Sequence, residues 1–92
     1  MNIILTNAAE AGMPEDMIAN CKTLIERRIQ KKFGGTPTPG ADVTILYSEK
    51  DPLGTTNEVD DHAYDIYFTV ESVEAPKGGD PNSGTVKVQL MM

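Results

Sequence analysis

The sequence predicts an α+β domain of order βαβββ, with one amphipathic helix packed on one face of a four-stranded mixed sheet. Three observations lead there. Apolar side chains recur at helical spacing over residues 14–33, apolar and polar residues alternate with period two over 64–73 and 85–92, and turn-forming runs separate these stretches. The 92 residues form a single domain, 1–92, large enough for one modest core. Tryptophan is absent and only three Tyr and two Phe are present, so that core is expected to be aliphatic, with methionine as filler.

The first strand is expected at about residues 2–6. Ile3, Ile4 and Leu5 are apolar on both faces, the pattern of a strand interior to its sheet. Asn7 to Gly12 is a connection of mostly small residues. The helix follows from Pro14 to Phe33, with Met17, Ile18, Cys21, Leu24, Ile25, Ile29 and Phe33 on one stripe. Pro14 suits the first helical position, where a missing N–H costs nothing. Glu15 and Asp16 lie at the positive end of the helix dipole, Lys31 and Lys32 at the negative end, and Gly34-Gly35 stops the run.

After a turn-rich linker through Gly40, a second strand is expected at about Asp42 to Ser48, with Val43, Ile45 and Tyr47 on one face and Thr44 and Leu46 on the other. Strand, helix, strand at this spacing suggests a crossover joining two parallel strands of one sheet. Glu49 to Asp61 reads as a polar loop. The third strand, about Tyr64 to Val73, alternates Tyr64, Ile66, Phe68 and Val70 with Asp65, Tyr67, Thr69 and Glu71. Residues 74–84 form a long loop, and Val86, Val88 and Leu90 alternate with Lys87 and Gln89 in the fourth strand, about 85–92. The last two strands therefore form an antiparallel hairpin. A single helix covers one sheet face only. The other would carry Tyr67, Thr69, Glu71, Lys87 and Gln89, with Ile4 and Leu46 adding apolar area, and is a candidate face for a partner or a homodimer.

Charge divides unevenly. Residues 1–37 hold five basic and four acidic side chains, net +1, whereas 38–92 hold three basic and ten acidic ones, net −7, which together give the −6 of the chain. Phosphate contacts need a basic surface, so direct nucleic-acid binding is not expected, and a basic protein partner is, such as a nucleic-acid-binding protein at its own groove. The candidate contact residues are Glu58, Asp60, Asp61 and Asp65 in the acidic stretch, together with Tyr67. Arg27, Arg28, Lys31 and Lys32 form a basic cluster, with Arg28 placed inside the apolar stripe and its head reaching out to solvent. Dipole complementation accounts for the cluster, and an acidic partner or a phosphate is the alternative.

Chemistry-bearing residues are few. Cys21, the single cysteine, lies on the apolar stripe and reads as a small hydrophobe without a disulfide partner. His62 sits among Glu58, Asp60, Asp61 and Asp65, a possible hard-cation set, but the spacing matches neither a calcium loop nor a two-histidine helix motif. No metal, cofactor or enzyme activity is expected. The N-terminal apolar run is three residues long with no Lys or Arg before it, and no stretch approaches the ~20 apolar residues of a bilayer span. A cytoplasmic protein without membrane contact is expected.

Met1 to Tyr47 resembles the first half of the DinI-like family, small bacterial and phage proteins of the DNA-damage response. The shared positions are Met1 and Ile3, Met13-Pro14 where the family has Leu-Pro, Ile18, Leu24, Arg27-Arg28-Ile29-Gln30 with Phe33, and Val43-Thr44-Ile45 with Tyr47. The resemblance implies a β-α-β start and a partner in DNA repair or recombination of the RecA type. Family members continue with a second helix rich in acids; here residues 64–92 alternate like strands. Three functions stay open: an acidic modulator of a DNA-handling protein, possibly phage-encoded; an anti-defence inhibitor whose surface imitates DNA to a restriction or guided nuclease; and a virion or assembly component.

Overall fold

A computed structural model describes residues 1–56, 59–79 and 83–91. The elements are β1 (Asn2–Thr6), α1 (Glu15–Phe33), β2 (Asp42–Tyr47), β3 (Tyr64–Glu74) and β4 (Thr85–Leu90). The helix packs against one face of a four-stranded mixed sheet of order β1-β4-β3-β2. The pairs β4–β3 and β3–β2 are antiparallel, and β1–β4 is parallel. β1 and β2 consequently point the same way, as the crossover pattern suggests, but they occupy opposite edges.

The expectation that β1 is interior is therefore corrected. Its parallel partner is β4, which inserts between β1 and β3, and among the described residues no strand pairs with the far side of β1. Ile4, which suggested burial on both faces, is 42% exposed. Burial of Ile3, partial burial of Leu5 and the ladder to β4 hold the strand in place.

The helix stripe resolves into a centre and two flanks. Cys21, Ile25 and Ile29, spaced by four, are fully buried, while Met17, Leu24 and Phe33 are half-buried against the core. Arg28 is exposed, outside the stripe to which its position between Ile25 and Ile29 assigned it. Pro14 is the N-cap in extended conformation (φ −63°, ψ 154°), one position before the one expected of it, and its carbonyl accepts from Ile18 N–H at 2.9 Å. Gly34 closes the helix in the left-handed region (φ 69°), where its N–H reaches the Gln30 carbonyl at 2.9 Å.

Opposite the helix stand Ile3, Val43, Ile45, Tyr47, Ile66, Phe68, Val70, Val86 and Val88, the inward residues of all four strands. β3 alternates until a bulge between Val70 and Ser72, where Val70 faces Val88 and Ser72 faces Lys87. The extra residue, Glu71, shifts the phase of the strand. Val73 then pairs with Val86 and packs on the core, where strict alternation from Val70 would have turned it outward. At the far end of the hairpin Gly84 is buried. A Cβ there would meet the Glu74 carbonyl and the Pro76 ring at 3.3 Å, and the Gly84 carbonyl takes Asn2 N–H at 2.7 Å.

Candidate functional site

The residues proposed from the acidic stretch do not converge. Glu58 lies outside the described residues. Asp60 is engaged in holding its own loop: one carboxylate oxygen accepts from His62 N–H at 2.9 Å and the other from the Ser48 hydroxyl at 2.9 Å. These bonds hold its carboxyl below the usual range, the His62 amide being the larger cause. Asp60, a candidate contact residue, thus has a structural duty within its own loop. Asp51 has a similar task, accepting from Thr55 and Thr56 N–H at 2.9 and 3.1 Å. Asp61 and His62 are exposed. Asp65 belongs to β3, opposite Leu46 and two residues before Tyr67, on the same face of the strand. Among the described residues no three His, Cys, Asp or Glu side chains gather closely enough to hold a metal. Burial pushes the Cys21 thiol up to about 11, so it is not a nucleophile near neutral pH.

The helix-free face of the sheet is where exposed apolar and polar side chains do meet. Tyr67 opposes Thr44 across the β2–β3 ladder, and Met91 N–H bonds the Tyr67 carbonyl at 2.9 Å, which sets Met91 beside Tyr67 on the other side. Leu46, 63% exposed, lies one step along β2 from this row, and Tyr67 and Met91 are 56% and 53% exposed. An open depression lined by Asp42, Thr44, Tyr67 and Met91 lies among them. Thr69 Oγ1 stands 2.9 Å from Met91 Sδ and 3.4 Å from Asp42 Oδ1. Glu71, on the bulge, accepts from the Thr6 hydroxyl at 3.1 Å and so reaches across β4 to β1. The face thus has an apolar centre of Leu46, Tyr67 and Met91, with Asp42, Asp65 and Glu71 around it and Lys87 as a counter-charge.

The basic cluster divides in two. Arg27 Nη1 donates to the Leu53 carbonyl at 2.6 Å, and Lys32 Nζ donates to the Asp42 carbonyl at 2.8 Å, so each holds a neighbouring backbone to the helix. Arg28 and Lys31 are exposed and line a groove of about 430 Å³ between the helix and β2, whose walls include Leu24, Thr44 and Leu46. Residue spacing could not reveal this groove, because it exists only once β2 is an edge strand lying under the helix. A third hollow, about 390 Å³, lies by the helix N-terminus among Met13, Met17, Tyr64, Asp65, Tyr67 and Met91. Tyr64 donates to Glu49 at 3.2 Å, and partial burial, with Glu49 nearby, raises its phenol. No helix of the described residues is long and apolar enough to cross a membrane. No protein-family model, curated protein or solved structure matches this chain.

Proposed function

We propose that this is a small acidic, non-enzymatic binding protein that docks a basic protein partner on the helix-free face of its sheet. The observation that carries the reading is the apolar cluster of Leu46, Tyr67 and Met91, exposed on a face the helix does not cover. Tyrosine and methionine are enriched at interface centres, and the surrounding charge selects among partners. Stacking two copies face to face would bring two acid-rimmed faces together, which disfavours a homodimer there. A basic surface complements them. Because the second half of the chain is strongly acidic, the groove of a nucleic-acid-binding protein fits best. The DinI-like run Arg27 to Phe33 favours a modulator of a recombination or repair protein, and an inhibitor of a defence nuclease would use the same complementarity.

The test is capture from a nuclease-treated bacterial lysate at low salt, comparing the wild-type chain with Leu46→Ser plus Tyr67→Ser. Wild type is expected to retain nucleic-acid-binding proteins that added duplex DNA or high salt releases, and the variant to retain none of them. Equal capture by both, or retention that neither DNA nor salt disturbs, overturns the reading. Identifying the released proteins as recombinases or as nucleases decides between modulator and anti-defence inhibitor.

A further inference from the structure

β2 is an edge strand, and its outward backbone groups can be assigned. Gly40 N–H bonds the Val70 carbonyl at 2.7 Å and Val70 N–H bonds the Ala41 carbonyl at 2.8 Å, so the Ala41 carbonyl points toward β3. Alternation along an antiparallel ladder then turns the N–H and C=O of Val43, Ile45 and Tyr47 toward β3, and those of Asp42, Thr44 and Leu46 outward. Lys32 Nζ already occupies the Asp42 carbonyl. No backbone bond from another segment of the described residues reaches Thr44 or Leu46. Two residues of edge therefore remain open, beside the groove in which Arg28 and Lys31 stand on the helix side and Leu46 and Asp65 on the other.

We infer that this edge accepts an extended acidic peptide segment as a fifth strand, with carboxylates at alternate positions turned toward Arg28 and Lys31. Strand addition supplies main-chain hydrogen bonds, and alternate side chains fall on the two faces of the extended sheet. Every second side chain of the added strand would lie on the helix side, near two cations for which no carboxylate within ion-pair distance is found among the described residues. The intervening side chains would lie beside Leu46 and Thr44, where an apolar group is favoured and Asp65 repels a carboxylate. The ligand chemistry is thus an alternation of acidic and apolar residues. A second copy of this chain fits poorly: β2 paired antiparallel with β2 in a continuous sheet brings Arg28 and Lys31 toward their own copies. The edge shares Leu46 with the docking face around Tyr67, but it is read from main-chain groups of β2 and from Arg28 and Lys31 on the helix side, so its occupancy does not depend on that reading.

The probe is a capped synthetic peptide of alternating Glu and Val, ~7 residues long, the span of a typical strand. It is titrated into the isotope-labelled protein and followed by amide shifts and hydrogen exchange. Thr44 and Leu46 amides are expected to shift and to gain exchange protection, with binding that weakens as salt rises. A Lys/Val peptide is expected not to bind. N-methylation at the valines blocks antiparallel addition and at the glutamates blocks parallel addition, so one of the two patterns, and not the other, should weaken binding at least about tenfold. Arg28→Glu with Lys31→Glu should weaken it by about tenfold, while Lys22→Glu leaves it unchanged. Should the double variant fail to fold, the peptide series on the wild-type protein still decides. Equal binding of the Lys/Val peptide, indifference to both methylation patterns, absence of binding, or shifts that avoid Thr44 and Leu46 would each overturn the inference.

Discussion

Arg27 reaches from the last third of the helix to the carbonyl of Leu53, a 2.6 Å hydrogen bond that ties the β2–β3 loop to the helix. Arg27→Ala is expected to loosen residues 51–56 and to lower global stability by about 1 kcal/mol, the typical net worth of one hydrogen bond. Limited proteolysis should then cut the loop sooner than in wild type. An unchanged cleavage rate would show that the Asp51 bonds to Thr55 and Thr56 hold the loop unaided.

The division of the helix stripe into centre and flank predicts unequal costs. Ile25→Ala empties a fully enclosed site and should cost about 2–5 kcal/mol. Leu24→Ala, at a half-buried position on the groove, should cost less, about 1–2 kcal/mol. Urea unfolding of both variants checks the order. A larger loss at Leu24 would mean that the helix is rotated about its axis relative to the sheet.

Asp60 makes the fold sensitive to acid. Its folded carboxyl titrates below the ordinary 3.8, because the His62 amide and the Ser48 hydroxyl bond the ionised form. A depressed carboxyl contributes stability that is complete above its unfolded value and is lost as pH falls through the folded one. Asp60→Asn should therefore flatten the pH dependence of stability below about pH 4, the region where an unperturbed Asp titrates. Thermal unfolding across that range is the measurement, and curves that stay parallel would remove Asp60 from the account.

Cys21 should resist thiol reagents at mildly alkaline pH until the protein unfolds, since it is enclosed and its thiol is raised to about 11. The sign of the linkage is opposite to that of Asp60. The folded state retains the proton longer, so stability falls as pH climbs from the ordinary 9.0 toward about 11. Reaction rates with a thiol reagent, with and without denaturant, provide the check. Rapid labelling of the native protein would place Cys21 at the surface.

Local pattern and non-local choice account for what the sequence did and did not reveal. The helix, β2 to β4 and the inward set Val43, Ile45, Tyr47, Ile66, Phe68 and Val70 follow from periods of 3.6 and 2, which each segment carries within itself, and β1 follows from its short aliphatic run. Strand order is a choice among partners far apart in the chain, and Ile3-Ile4-Leu5 would read the same at an edge as in the interior. The bulge at Glu71 appears in the sequence only as Val70 and Val73 three apart, an irregularity that becomes meaningful once Val86 and Val88 stand opposite. The duties of Asp60, Arg27 and Lys32 depend on loop backbone brought to them by the fold. Residue type alone shows only a charge.

The strand that joins β1 to the rest of this sheet, β4, follows the other three in the chain. β1 shares no ladder with the β2–β3 pair except through β4, so Ile3 waits for Val86 before either edge is satisfied. Until β4 pairs, β1 and the inner edge of β3 are both bare, because β4 lies between them. Chaperones and proteases that recognise unpaired strands have access then, and the finished domain withdraws those two edges from them. Undocking of β4 alone therefore divides one continuous sheet into the β2–β3 pair and a lone β1.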